Sequence, residues 1–279
     1  MKKIVFITLA ALSPAAYSSV SDLLISEVAV TPTAGEFIEI YNAGATPVDL
    51  TDVYLTDATY SNGGIYYYQI VTGGGGGGGF ADFHARFPTG ATIPAGGYQT
   101  IALNGSDNFT STYGVTPTYE LYEDAGAADA IPDMLEATLG SINGQGGLSG
   151  GEVAILYTWD GNSDLLQDLD YVVWGDKVEA VDKSGIPIDG PDADSTASTY
   201  QNDTAIATQA VISASSHAGG KTWQRNVPLN EGAETQTGGN GINGSDETSE
   251  DLNNTFFEDT PTPNAASNPP TPTAPNVVI

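Results

Sequence analysis

The sequence predicts an all-β fold, and three observations carry that prediction. Residues 22–57 hold three short runs rich in Ile, Val, Phe and Tyr. They are cut by the turn-forming stretches Thr31-Pro32-Thr33-Ala34-Gly35 and Asn42-Ala43-Gly44-Ala45-Thr46-Pro47. Residues 151–159 and 165–174 are apolar runs flanking Asp160-Gly161-Asn162-Ser163-Asp164. Gly and Asn/Asp supply the left-handed positions that such a hairpin turn needs. A third turn, Thr92-Ile93-Pro94-Ala95-Gly96-Gly97, leads into another strand run at 98–103.

In chain order, residues 23–30, 36–41 and 48–56 read as strands. Within the second, Glu36, Ile38, Ile40 and Asn42 share one face, and Phe37, Glu39 and Tyr41 share the other. Residues 64–71 are aromatic and β-branched and predict a further strand. Seven consecutive glycines, 73–79, predict a flexible surface loop, since they carry no side chain to pack. A phosphate cradle would need a helix and a Lys next, and Phe80-Ala81-Asp82-Phe83 supplies neither. One helical turn is expected at 106–113 and a short strand at 119–122. In the second hairpin strand, Leu165, Gln167 and Leu169 alternate with Leu166, Asp168 and Asp170. Residues 185–208 read as a polar insertion, helical around 195–201, and 238–249 as a Gly/Asn loop.

Three ordered blocks, ISEV at 25–28, EFIEIYN at 36–42 and VDLTDVYLTD at 48–57, resemble the opening of a lamin-tail domain of the secreted bacterial type. The turn Ile93-Pro94-Ala95-Gly96-Gly97-Tyr98 and the hairpin end Asp170-Tyr171-Val172-Val173-Trp174-Gly175 are similar to that family's middle and late strands. Lys221-Thr222-Trp223-Gln224-Arg225 resembles its last strand, with Thr222 where Ser is usual. Residues 251–257 and Thr260-Pro261-Thr262-Pro263-Asn264 resemble its closure, with Asn264 in place of Gly. The resemblance implies an immunoglobulin-like β-sandwich with loop insertions over 20–268. It implies no shared chemistry. Such domains often accompany exported nucleases or other hydrolases, which they are thought to position.

Met1-Lys2-Lys3, the apolar run 4–12 and the small residues that follow have the layout of an export signal, expected over 1–19. Residues 269–279 read as a Pro-rich tail. The expected address is therefore secreted or extracellular, with periplasm or cell surface as alternatives. No later stretch is long and apolar enough to span a membrane. With no Cys, the core must supply stability without disulfides, and thiol catalysis and thiolate metal sites are excluded. Seven Lys and Arg against 35 Asp and Glu give a net charge of −28. Phosphate contacts depend on clustered cations, so direct nucleic-acid binding is disfavoured.

Few residues point to catalysis. Gly147-Leu148-Ser149-Gly150-Gly151 fits a nucleophile elbow in letters, but a strand follows it where a helix is needed. His84 and His217 are solitary, without a second ligand at zinc spacing. Calcium is the cofactor the oxygen-rich clusters suit. The best ligand set is Asp160, Asn162 and Asp164 with Asp168 or Asp170, although a hairpin turn explains the same residues. Asp189, Asp192 and Asp194 form a second set, and Gly238-Gly239-Asn240-Gly241-Ile242-Asn243 resembles one unit of a calcium-binding repeat. Should Phe37 and Tyr41 point inward, Glu39 needs a partner: a cation shared with Glu27, or a hydrogen bond to backbone or to Arg225. Tyr60, Tyr66 and Tyr68 are candidate aromatics for a glycan or protein surface. The expected function is a non-catalytic binding, adhesion or scaffolding module for a protein or glycan. A companion or remnant of a secreted nuclease or hydrolase is the alternative, and an acidic calcium-dependent enzyme a third.

Overall fold

The computed structural model describes residues 19–59, 65–78, 82–124, 129–142, 147–226, 231–232 and 234–267. Residues 1–18 of the expected export signal, the 269–279 tail, Tyr60 and Gly79 lie outside the described residues. Runs of β-branched and aromatic residues form the longer strands: β1 (Leu23–Ala29), β2 (Phe37–Asn42), β4 (Val53–Thr56), β7 (Tyr98–Ala102), β10 (Glu152–Thr158), β11 (Gln167–Trp174), β14 (Thr222–Arg225) and β15 (Phe256–Asp259). Shorter ones are β3 (Val48–Asp49), β5 (His84–Arg86), β6 (Thr92–Ile93), β8 (Tyr119–Glu120), β9 (Leu135–Glu136), β12 (Pro187–Ile188) and β13 (Ser198–Thr199).

One sheet has the order β15-β14-β1-β2-β7-β8, and the other β11-β10-β4-β5-β9. All their pairings are antiparallel except β7 with β8. The sheets face each other. Asp170 of β11 accepts from the Ile25 amide of β1, and Trp174 of β11 packs on Trp223 of β14 at 5.7 Å. Leu23, Ile25, Ile38, Ile40, Leu55 and Val153 belong to one fully buried core cluster. The fold is an immunoglobulin-like β-sandwich.

Alternation assigns the faces of β2. Ile38 and Ile40 pair with Val28 and Ile25 and join the main core. Phe37 lies on the opposite face, in a second cluster with Ala29, Ala102 and Phe109. Phe109 and Tyr113 come from the helix Ser106–Tyr113, which lies over that face and sets their rings edge-on to Phe37 at 5.4 and 5.3 Å. So Phe37 is buried by a helix outside the sandwich.

Two bulges re-aim charged side chains. β1 shifts register between Ile25 and Glu27, leaving Glu27 opposite Glu39. β11 shifts so that Asp170 pairs with Leu156 while Asp168 pairs with Tyr157. Leu156 and Tyr157 point to opposite faces of β10, so Asp168 and Asp170 do as well. Unbroken alternation had placed both aspartates on one face; the bulge overturns that.

Three local expectations differ from the structure. Among the described residues 65–71 no strand forms; Tyr67–Thr72 is a 3-10 helix ending at Gly73 with φ +80°. Its period of three puts Tyr67 with Ile70 and Tyr68 with Val71, all buried against the five-stranded sheet. The expected helix around 195–201 is replaced by the β12–β13 pair, because Asp164 accepts from the Gly190 and Ser198 amides and holds that segment extended. The glycine run is laid against the body rather than free of it. A Cβ on Gly77 would lie 2.7 Å from the His84 amide nitrogen, and one on Gly78 2.0 Å from the Gly140 carbonyl, both at positive φ.

Candidate functional site

Lys183 and Arg225 anchor two buried charged centres, one on each face of the five-stranded sheet. Asp168 turns to the face covered by the Tyr67–Thr72 helix. Its Oδ1 accepts from Tyr67 Oη at 2.7 Å and its Oδ2 from Lys183 Nζ at 2.5 Å. Lys183 also reaches Asp203 at 3.2 Å, and Asn240 donates to the other Asp203 oxygen at 2.6 Å. Burial works against the ammonium, but Asp168, Tyr67 and Asp203 outweigh it and hold the Lys183 pKa well above its usual value. Every oxygen of this centre has a donor.

Between the sheets, Arg225 bonds Asp170 at 2.6 Å, Glu250 through its other terminal nitrogen, and the Ile25 carbonyl through Nε at 2.8 Å. The Phe256 ring lies 4.8 Å from the guanidinium. These bonds join β14, β11 and β1 to the turn before β15.

The histidines are structural. His84 is fully buried, with Nε2 2.5 Å from Tyr157 Oη and Nδ1 against the Gly75 carbonyl. Burial lowers its pKa to about 4, so it is neutral at physiological pH. His217 Nε2 accepts from the Val30 amide at 2.8 Å, which a protonated ring nitrogen cannot do. Ser149 bonds the Gly151 carbonyl, and Glu152 accepts from its amide.

Glu27 and Glu39 meet on the outer face of the six-stranded sheet and hold the C-terminal segment. Glu27 accepts from the Thr262 amide at 3.2 Å, from Thr262 Oγ1 at 2.9 Å and from the Thr222 hydroxyl. Glu39 accepts from Ser26 Oγ at 2.8 Å and from the Asn264 amide at 2.6 Å. Asn264 has φ +60°, the left-handed geometry expected where Asn replaces Gly. Burial, and for Glu39 also the neighbouring Glu27, raises both pKa values. Glu39 meets the backbone hydrogen bond expected of it at Asn264, while Arg225 lies on the opposite side of the sheet.

The residues expected to bind calcium lie in three settings. Asp160 accepts from the Asn162 and Ser163 amides at 2.9 and 2.7 Å, closing the exposed hairpin turn around Asn162. Asp164 holds Gly190 and Ser198 and comes near Asp189 and Asp192, so it joins the two sequence sets in part. Asp168 is the buried partner of Lys183.

Irregular segments assemble two further carboxylate groups that no spacing in the sequence marks. Glu120, Glu123 and Asp129 converge near the start of the Ser106–Tyr113 helix, where the Ser106 amide and hydroxyl bond Glu120 and Asp129. Glu231, Glu234 and Glu247 converge beside the Arg225 centre. No sequence spacing links residues 231–234 to 247.

Two half-exposed aromatics pair on the six-stranded sheet. Tyr41 and Tyr98 are Cα partners on β2 and β7, with ring centroids 4.5 Å apart. Tyr66 and Tyr68 also stack, at 5.2 Å, but Tyr68 is buried.

Among solved structures, the chain is similar to the crystal structure of a DUF4876 family protein from Bacteroides thetaiotaomicron, at 18% identity and a TM-score of 0.37. That likeness covers 56% of this chain and 54% of the other, so the chain spans about half of that protein's length. No curated protein matches the chain. A family model described as the Lamin Tail Domain matches residues 16–176, through β1, β2 and the β10–β11 hairpin. The chain belongs to the lamin tail domain family.

Proposed function

We propose that the chain is an exported, non-catalytic module that binds or scaffolds a protein or glycan at the cell surface or outside the cell. The observation that carries this reading is the engagement of its chemistry-bearing side chains. All five Lys and Arg among the described residues, Arg86, Lys177, Lys183, Lys221 and Arg225, are tied to carboxylates or carbonyls within the chain. Both histidines are likewise held by internal hydrogen bonds. A strongly acidic chain whose cations are used internally offers little to a phosphate backbone, which argues against direct nucleic-acid contact. Among the described residues no helix is long and apolar enough to cross a membrane.

The half-exposed Tyr41–Tyr98 pair is the surface best suited to a sugar face or an apolar side chain, because it offers rigid aromatic area with hydroxyl edges. The test is retention of envelope proteins and polysaccharides on the immobilised chain, with calcium and with chelator. Replacing both Tyr41 and Tyr98 by Ala is expected to cut retention roughly tenfold or more, as loss of aromatic anchors does. No retention under either condition, or turnover of ester, phosphodiester or glycoside substrates, would overturn the reading.

A further inference from the structure

One carboxylate oxygen from each of Glu231, Glu234 and Glu247 lies within 4.8 Å of the other two. Glu234 is 9% exposed, yet both of its oxygens are shielded from solvent and neither accepts a well-formed hydrogen bond; the polar groups beside them are the Glu231 carboxyl and the Ser245 hydroxyl. A buried carboxylate without a donor is costly, and native proteins nearly always supply one or place a counter-charge. Glu247 is more deeply buried, at 4% exposure, and Ser245 Oγ donates to it at 2.5 Å. Its carboxylate fills the space beside Gly241, where a Cβ would come 2.1 Å from Oε1.

The charges nearby deepen the imbalance. Arg225 is the cation that acts on Glu231, and it already bonds Asp170 and Glu250. Asp170 and the neighbouring glutamates act on the trio as like charges. Protons or a multivalent cation would relieve the strain.

The donor set selects the cation. It consists of carboxylate oxygens with a hydroxyl beside them, which is hard-cation chemistry. Three carboxylates gathered in a buried group suit calcium, which takes six to eight oxygen ligands in flexible geometry, better than magnesium, which keeps several of its waters. We infer that Glu231, Glu234 and Glu247 form a calcium site. It fastens Glu231 and Glu234 to the 3-10 turn Glu247–Ser249, next to the Arg225 centre. This inference does not depend on the proposed binding role.

The test is calcium binding by the full chain, followed by titration calorimetry with calcium chloride after chelation and by thermal unfolding. Calcium at about a hundred times its dissociation constant is expected to raise the unfolding midpoint by roughly 5–10 °C. Glu234→Gln is expected to weaken calcium at least tenfold, while Asp164→Asn, at the separate Asp189–Asp192 group, leaves affinity within about twofold. In chelator, Glu234→Gln melts at or above the wild type, because it removes a crowded charge and keeps the shape. Three results would overturn the site: no uptake up to about 10 mM calcium, unchanged affinity in Glu234→Gln, or a Glu234→Gln chain that fails to fold in chelator. Loss of binding in Asp164→Asn alone would assign the calcium elsewhere and also overturn it.

Discussion

Lys183 and Arg225 are both fully buried, on opposite faces of one sheet, and their surroundings differ in charge balance. Around Lys183, two carboxylates, a phenol and an amide are arranged so that every polar atom has a partner. Around Arg225, two paired carboxylates are backed by three more, of which Glu234 accepts no well-formed hydrogen bond. The comparison separates a finished structural tie from one that still calls for a cation. It also shows why perturbed pKa values alone do not mark a catalytic site. Both centres shift their groups, and the first does so purely to join the Tyr67–Thr72 helix and residues 183–203 to β11.

The largest expected effect comes from breaking the balanced centre. Lys183→Met leaves Asp168 and Asp203 buried without their cation, and should lower stability by about 3–5 kcal/mol. Urea unfolding reads this directly, and calcium should not restore the loss. A near-neutral result would mean that the centre contributes specificity rather than stability.

A smaller effect concerns carboxylates buried away from either cation. Burial raises Glu36 to about 7 and Glu152 to about 8. Their unfolded values are near 4.5, so the folded state binds protons more tightly. Their contribution is fully present below pH 4.5, and is lost as pH rises through 7 and 8. Asp49, Asp160 and Asp259 are lowered by hydrogen bonds and act oppositely, with stability lost as pH falls through their values below 3.8. The denaturation midpoint in chelator should therefore peak in mildly acid solution and decline toward pH 8. A midpoint that climbs steadily from pH 5 to 8 would contradict these assignments.

The smallest effect is expected at Glu39. Its raised pKa favours the neutral carboxyl, which Gln imitates in shape, so Glu39→Gln should change stability by less than about 1 kcal/mol at pH 7. The change should be the same with and without calcium. A calcium-dependent difference would revive a cation shared by Glu27 and Glu39, and would blur the contrast between the two centres.

The sandwich was legible wherever side chains alternate between two environments. β1, β2 and the β10–β11 hairpin follow from such patterns, while β14 and the Asn264 turn follow from the resemblance to the family's last strand and closure. The Tyr67–Thr72 helix was not, because Ile, Tyr and Val favour strands on average, and only burial at a spacing of three reveals the tighter helix. Neither bulge is written in composition. An extra residue at Ser26 or Leu169 changes which face a Glu or Asp meets without changing the local pattern. Glu36 and Glu39 could be placed on opposite faces of β2 from alternation. The Glu231–Glu234–Glu247 group could not, because it forms where two irregular segments meet.

The most direct test of the contrast compares one conservative change in each centre. Tyr67→Phe removes the hydroxyl that joins Asp168 to Lys183, and Glu234→Gln removes one charge from the crowded trio. The unfolding midpoint of each variant and of the wild type is measured in calcium and in chelator. Tyr67→Phe is expected to lower the midpoint equally in both solutions, by several degrees for a loss of about 1–2 kcal/mol. Glu234→Gln is expected to keep the chelator midpoint and to lose at least half of the calcium-induced rise. The same calcium-induced rise in Glu234→Gln as in the wild type would contradict that contrast.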